Sequence, residues 1–105
     1  MTEKQIETRL VSRLRVEVPD ARCLKFTCPG NDGVPDRIIL ARGQAVFVEL
    51  KASGKRPRPL QYRWGDRLRK MGFRVYMPVD SYEGVEDVVR EIKNIQWATS
   101  QGGKT

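Results

Sequence analysis

The chain contains no histidine, and that absence removes whole classes of function. Ser-His-Asp and Cys-His nucleophilic arrangements, histidine general acid–base catalysis and His-ligated zinc all require an imidazole. The two cysteines, Cys23 and Cys28, are too few and badly spaced for a metal knuckle or a disulfide framework, and read as inert, half-buried thiols. No stretch approaches the roughly 20 apolar residues of a membrane span, and no apolar signal segment opens the chain, so no membrane role is expected and cytosol is the expected compartment. A glycine-rich phosphate loop ahead of a helix is also lacking. What remains for chemistry is carboxylates and lysines, a set that suits a hard cation such as magnesium at a phosphate ester.

At 105 residues, 39% hydrophobic and 31% charged, the chain has the length and composition of one globular domain. A polar tail over 98–105 is expected to fray. Twenty Lys and Arg outnumber thirteen Asp and Glu, a formal +7. The excess sits in one place: Lys51 to Arg74 carries nine basic residues and one acid, whereas the rest of the chain sums to −1. Such a block inside a neutral domain is the footprint of a polyanion, most often nucleic acid. A solvated helix face is the plainer alternative.

Hydrophobic spacing predicts the order α-β-β-β-α-β-α. Thr2 and Gln5 are spaced as a capping box for a first helix bearing Ile6, Leu10, Val11 and Leu14, and Pro19-Asp20 ends it. Arg22 to Cys28 reads as a strand, closed by the breakers Pro29 to Gly33. Asp36 to Ala41 and Ala45 to Ala52 read as a hairpin. A second helix runs from about Leu60 to Met71, with Leu60, Trp64, Leu68 and Met71 on one apolar face and Gly72 as its stop. Trp64 could stack on a base, but that spacing favours the core. Phe73 to Met77 is a fourth strand, and Ser81 caps a last helix. Strands three and four, joined through a helix, should lie parallel in a mixed central sheet flanked by helices.

Two carboxylates stand out: Asp36 in Val34-Pro35-Asp36, and Glu49 in Glu49-Leu50-Lys51, thirteen residues on. Val18-Pro19-Asp20 and Glu91-Ile92-Lys93 repeat the same patterns, but Asp20 lies at a helix exit and Glu91 on a helix, where positions two apart diverge. On a strand, Glu49 and Lys51 share a face. A two-residue Gly43-Gln44 loop would pair Arg42 with Ala45, setting Asp36 opposite Lys51 and diagonal to Glu49. A three-residue loop would turn Asp36 to the other face. The competing reading makes Asp36 a strand cap and Glu49/Lys51 an ion pair. The apolar run Ala45 to Val48 argues against it, because that run suggests a sheet covered on both faces. Its terminal charges then sit at the carboxyl edge, where open α/β sheets place ligands. Carboxylates gathered there repel one another, and a bound cation resolves the repulsion.

Gly33-Val34-Pro35-Asp36-Arg37-Ile38, Val46-Phe47-Val48-Glu49-Leu50-Lys51 and Pro59-Leu60-Gln61 together resemble the VRR-NUC nucleases of the PD-(D/E)XK, or restriction-endonuclease-like, superfamily. Leu24-Lys25-Phe26 and Gly72 to Tyr76 also look like family positions, and the likeness spans about Glu3 to Val89, within a nuclease domain expected over 1–97. The resemblance implies that Asp36, Glu49 and the Leu50 carbonyl ligate Mg2+, with Mn2+ as a substitute. It implies that Lys51 orients or activates the attacking water, that Gln61 completes the motif, and that Glu7 supports the metal, through water if not directly. Lys25, Lys55, Arg56, Arg58, Arg63, Arg67 and Lys70 would contact phosphates, which position a duplex without reading its sequence. Small members of this family resemble homodimers, bacterial or phage-encoded, that cut branched DNA such as four-way (Holliday) junctions in recombination and repair; for a phage protein the compartment is the host cytoplasm. A non-catalytic nucleic-acid-binding module on the same scaffold is the alternative, and a docking domain for a larger repair protein a third.

Overall fold

The computed structural model describes residues 1–97; the tail expected over 98–105 lies outside the described residues. The first helix, α1 (Glu3–Glu17), starts where the sequence predicts. The Thr2 hydroxyl accepts from the Gln5 backbone N–H at 3.1 Å, and the Gln5 side chain accepts from the Thr2 N–H at 2.9 Å. Two donors that a helix start leaves orphaned are thereby satisfied. The strands β1 (Arg22–Lys25), β2 (Arg37–Ala41) and β3 (Gln44–Leu50) follow, then α2 (Pro59–Lys70), β4 (Arg74–Val79) and α3 (Tyr82–Lys93). The Ser81 hydroxyl caps α3, accepting from the Gly84 N–H at 2.9 Å. β1 ends at Lys25, three residues earlier than expected.

The four strands lie in sequence order, the first three antiparallel and β4 parallel to β3. The hairpin turn is Arg42-Gly43, not Gly43-Gln44: Ala41 pairs with Gln44 and Arg37 with Val48. Both turn residues have positive φ, 52° and 81°, as a two-residue turn matching the strand twist demands. Arg42 is held in that unfavourable region by its guanidinium, which donates to the Lys93 and Ile95 carbonyls at 2.7 and 3.0 Å and pairs with Asp20 at 3.2 Å. The shift moves each pairing partner by two residues. Because side chains alternate with period two, every face is preserved.

The sheet has two unequal faces. α1 and α3 cover one, burying Ile6, Leu10, Leu14, Ile39, Val46, Val48, Leu50, Val85, Val88 and Ile92; each such aliphatic chain contributes roughly 1.5–3 kcal/mol by leaving water. α2 covers only part of the other face, over a smaller core of Phe47, Leu68 and Val75 backed by Phe26, Ile38 and Met77. The expected apolar face of α2 is rotated. Gln61, Gly65 and Leu68 are buried, whereas Leu60 and Met71 are 38% and 63% exposed. Gly65 accounts for the rotation: a Cβ there would lie 3.0 Å from the Met77 methyl carbon, so the helix approaches β4 along its glycine. Trp64 consequently stays half-buried, with the Arg67 guanidinium 5.2 Å from its ring centre.

Candidate active site

The candidate residues meet at the carboxyl end of β3. Alternation along this strand sends Val46, Val48 and Leu50 toward α1 and α3, and Phe47 and Glu49 toward α2. One step beyond the last ladder pair, Asp36 stands opposite Glu49 rather than opposite Lys51. Pro35, fully buried, anchors the approach to Asp36, and the Asp36 carboxylate accepts the Leu50 backbone N–H at 2.9 Å. On the preceding loop, Gly33 packs against the start of α2, where an added Cβ would lie 2.9 Å from the Leu60 carbonyl group. Asp36 is therefore fixed by the sheet on one side and the helix on the other.

Glu49 has no exposed surface. Its Oε2 takes two donors, the Lys51 ammonium at 2.8 Å and the Gln61 amide at 2.6 Å, whereas its buried Oε1 has no hydrogen-bond partner among the described residues. Gln61 is itself fixed, since its amide oxygen accepts the Arg58 backbone N–H at 2.7 Å at the start of α2. Burial pushes the Glu49 carboxyl up to about 7; Asp36 adds to the rise, and Lys51 opposes it. A buried carboxylate oxygen aimed at nothing is costly. A cation or a water is the kind of group that satisfies it.

Glu7, expected at the site, and Glu3 lie in different environments. The Glu7 carboxylate accepts from Arg37, at 3.0 Å from Nη2, beneath α1. Glu3, one turn earlier, is the acid of α1 that senses the site: its carboxyl is pushed up by desolvation and then by the charge of Asp36, against a lowering by Lys51. Sequence reasoning passed over Glu3, although Glu3 and Glu7 share a helix face at a spacing of four. The two look-alike motifs are occupied elsewhere, Asp20 by Arg42 and Glu91 by the Tyr76 hydroxyl. Cys23 and Cys28 are free and half-buried, with the Cys23 thiol pushed up by burial.

Among the described residues, no group of three or more His, Cys, Asp or Glu side chains is gathered closely enough to enclose an ion. Asp36 and Glu49, each a neighbour of the other's charge, supply few oxygens. Sparse sets suit magnesium, which keeps several waters and shares its sphere with substrate phosphate. Lys55, Arg56 and Arg58 are exposed on the loop leaving β3, and Arg63, Arg67 and Lys70 are exposed on α2. Among the described residues none of these six is ion-paired, so their charge is available to a polyanion.

No family model matches the chain. A protein of Acyrthosiphon pisum secondary endosymbiont phage 1, "Putative nuclease p44", is 45% identical over 74 residues, covering 70% of this chain and 77% of that protein. A solved structure described as "VRR_NUC domain" superposes with a TM-score of 0.74 at 28% identity, covering 86% of this chain and 97% of its own. A second, "VRR_NUC domain protein", superposes equally well at 18% identity over 92% of each chain, a likeness of fold.

Proposed function

The chain belongs to the VRR-NUC nuclease family, and from that membership we propose that it is a divalent-metal-dependent DNA endonuclease acting on branched duplex DNA such as four-way junctions. The observation that carries the reading is Glu49, buried beside Asp36 and Lys51 with one carboxylate oxygen unpartnered. A protein that only bound nucleic acid would have no use for buried acids next to a polyanion.

Asp36, Glu49 and the Leu50 carbonyl would hold magnesium or manganese, with Glu7 and Glu3 reaching it through water. Such a cation, when bound, neutralises phosphate oxygens and acidifies water for attack on phosphorus. The chain's own residues do the rest. Gln61, fixed by the start of α2, holds Glu49 in one orientation. Lys51, steadied by Glu49, orients the attacking water and puts positive charge where negative charge develops at phosphorus. Lys55, Arg56, Arg58, Arg63, Arg67 and Lys70 seat the duplex by its phosphates.

A homodimer would supply two sites related as a junction's arms are. The half of the sheet that α2 leaves uncovered exposes Leu24 and Leu40, with Phe73 and Met71 beside it, an apolar face that a second copy would cover. Sedimentation velocity is expected to show a dimer; a monomer at all concentrations would remove the dimer and leave the nuclease reading intact.

The decisive experiment incubates labelled junction, flap and linear duplex DNA with the protein and its Asp36→Asn and Glu49→Gln variants, in magnesium, manganese, calcium or EDTA. Cleavage is expected in magnesium and manganese alone, junctions cut fastest, with each variant slower by at least about 100-fold. Equal cleavage by the variants would sink the site. Tight, salt-sensitive binding without cleavage would favour the binding module.

A further inference from the structure

Cations on the α1 layer sort into two groups. Along the seam with α3 they are matched by acids or by an aromatic ring: Arg13 pairs with Glu86 at 2.9 Å and Lys93 with Glu17 at 2.9 Å, Arg90 pairs with Asp87 within α3 at 3.0 Å, and the Arg9 guanidinium lies over the Tyr82 ring, 4.6 Å from its centre. On the opposite flank, where α1 meets the edge strand β1, they are not. Arg15, Arg22 and Lys25 have no carboxylate partner among the described residues. Lys4 has only a loose 3.8 Å contact with Glu7, whose carboxylate Arg37 already holds at 3.0 Å.

This flank is hollow. A depression of about 240 Å³ lies between Lys4 and Arg37, with the Arg37-paired Glu7 in its wall, and another of about 260 Å³ reaches Arg22; Val11 and Arg15 line both, so the two form one groove. Its near end opens beside the candidate active site. Lys4 follows Glu3, Lys25 pairs across the ladder with Arg37, and the Phe26 N–H donates to the Asp36 carbonyl at 2.8 Å. Thr8 and Ser12 stand at steps of four from Lys4, on the same face as Arg15. From Lys4 to Arg15 the helix rises about 16 Å at 1.5 Å per residue. That spans about five base pairs of duplex at 3.4 Å each.

We propose that the groove between α1 and β1 is a second phosphate track, holding the backbone of one DNA arm while the cations of α2 hold another. The inference rests on the nucleic-acid reading above and adds Lys4, Arg15 and Arg22 to the surface that binds. A branched substrate needs at least two tracks diverging from one site, and the groove and α2 both begin there. A running charge count misses this track, because Glu3 precedes its cations in sequence and Glu7 and Glu17 fall between them, while the three carboxylates turn toward the site, Arg37 and α3.

The test is fluorescence anisotropy of a labelled four-way junction with arms of about 20 base pairs, titrated across a sodium chloride series in EDTA and again in calcium. Three proteins are compared: unaltered, Lys4→Gln/Arg15→Gln/Arg22→Gln, and Arg63→Gln/Arg67→Gln/Lys70→Gln. The groove variant is expected to melt normally and to lose roughly 2–3 from the slope of log affinity against log salt, about 0.9 for each phosphate contact removed. Should the triple variant fold poorly, the three single variants carry the test, each lowering the slope by about 0.9. An unchanged slope for the groove variant, with a reduced slope for the α2 variant, overturns the groove and leaves the nuclease reading standing. No binding by the unaltered protein at low salt overturns both. Displacement of the junction by polyglutamate at equal charge concentration would also overturn the proposal, in favour of an acidic protein partner.

Discussion

At the scale of single residues, Glu49, the centre of the proposed site, leaves a measurable trace in stability. Its carboxyl rises from 4.5 to about 7 because folding buries it, with Asp36 adding to the effect. The folded chain therefore holds the Glu49 proton more tightly than the unfolded chain, and stability falls as pH rises from about 4.5 through 7. Glu3, raised by the same surroundings, acts in the same direction. Glu17, Asp20 and Glu86 are lowered by Lys93, Arg42 and Arg13 and act oppositely, losing their contribution only as pH falls through the acid range below 4.5. Thermal melting in EDTA is thus expected at a higher temperature at pH 5.5 than at pH 8. Glu49→Gln is expected to flatten that difference; a difference that survives would mean Glu49 is charged at little cost. Magnesium is expected to raise the melting temperature at pH 8 and to have little effect at pH 5.5, where the proton competes. Gln61→Glu makes a companion measurement. Its carboxylate would face Glu49 Oε2 in place of the amide donor now at 2.6 Å, so melting at pH 8 is expected to drop further in EDTA and to recover in part with magnesium.

At the scale of elements, what could be read in the sequence divides by range. Local signals held: the Thr2/Gln5 box, the Ser81 cap and the aliphatic spacing of α1 and α3 each specify a helix through neighbours three or four residues away. The hairpin turn lies one residue from where the sequence suggests, because glycine fits more than one turn position and a strained Arg42 is stabilised by distant partners, Asp20 and the Lys93 and Ile95 carbonyls. The Asp36–Glu49 face survived because the error was an even shift. The rotation of α2 was not legible: Leu60, Trp64, Leu68 and Met71 form the better apolar stripe in sequence, yet the close approach at Gly65 and the bond from Gln61 to Glu49 set the contact. Gly33 is the element-scale counterpart, joining the Asp36 loop to α2 at a φ of 91° with no room for a Cβ. Gly33→Ala is expected to cost about 1–3 kcal/mol, read by denaturant titration, and to slow cleavage by displacing Asp36. Gly30→Ala, with positive φ but nothing within 4 Å, separates the two causes: an equal loss there would assign the effect to backbone conformation alone.

At the scale of the whole molecule, charge is laid out against a gradient. The site concentrates Asp36, Glu49 and Glu3, which repel a phosphodiester, while the unpaired cations lie around it on the exit of β3, on α2 and along α1. Composition disclosed the first two of these as the block from Lys51 to Arg74, since their cations are contiguous in sequence. The third appears only when folding separates the charges of α1 onto different flanks. The layout lets binding and turnover be weakened independently. Removing Arg63, Arg67 and Lys70 leaves the acids of the site in place and is expected to take away phosphate contacts, along with the Arg67 guanidinium over the Trp64 ring. With linear duplex as substrate at saturating magnesium, the triple glutamine variant is expected to raise KM by roughly 10-fold or more at moderate salt, as three lost contacts imply, with kcat within about twofold. Lys51→Ala is expected to do the reverse, lowering kcat with little change in KM, because on the proposed mechanism its charge acts where negative charge develops at phosphorus. If both variants lowered kcat alike, the α2 cations would be aligning the scissile phosphate rather than holding the duplex, and the separation of attraction from chemistry would fail.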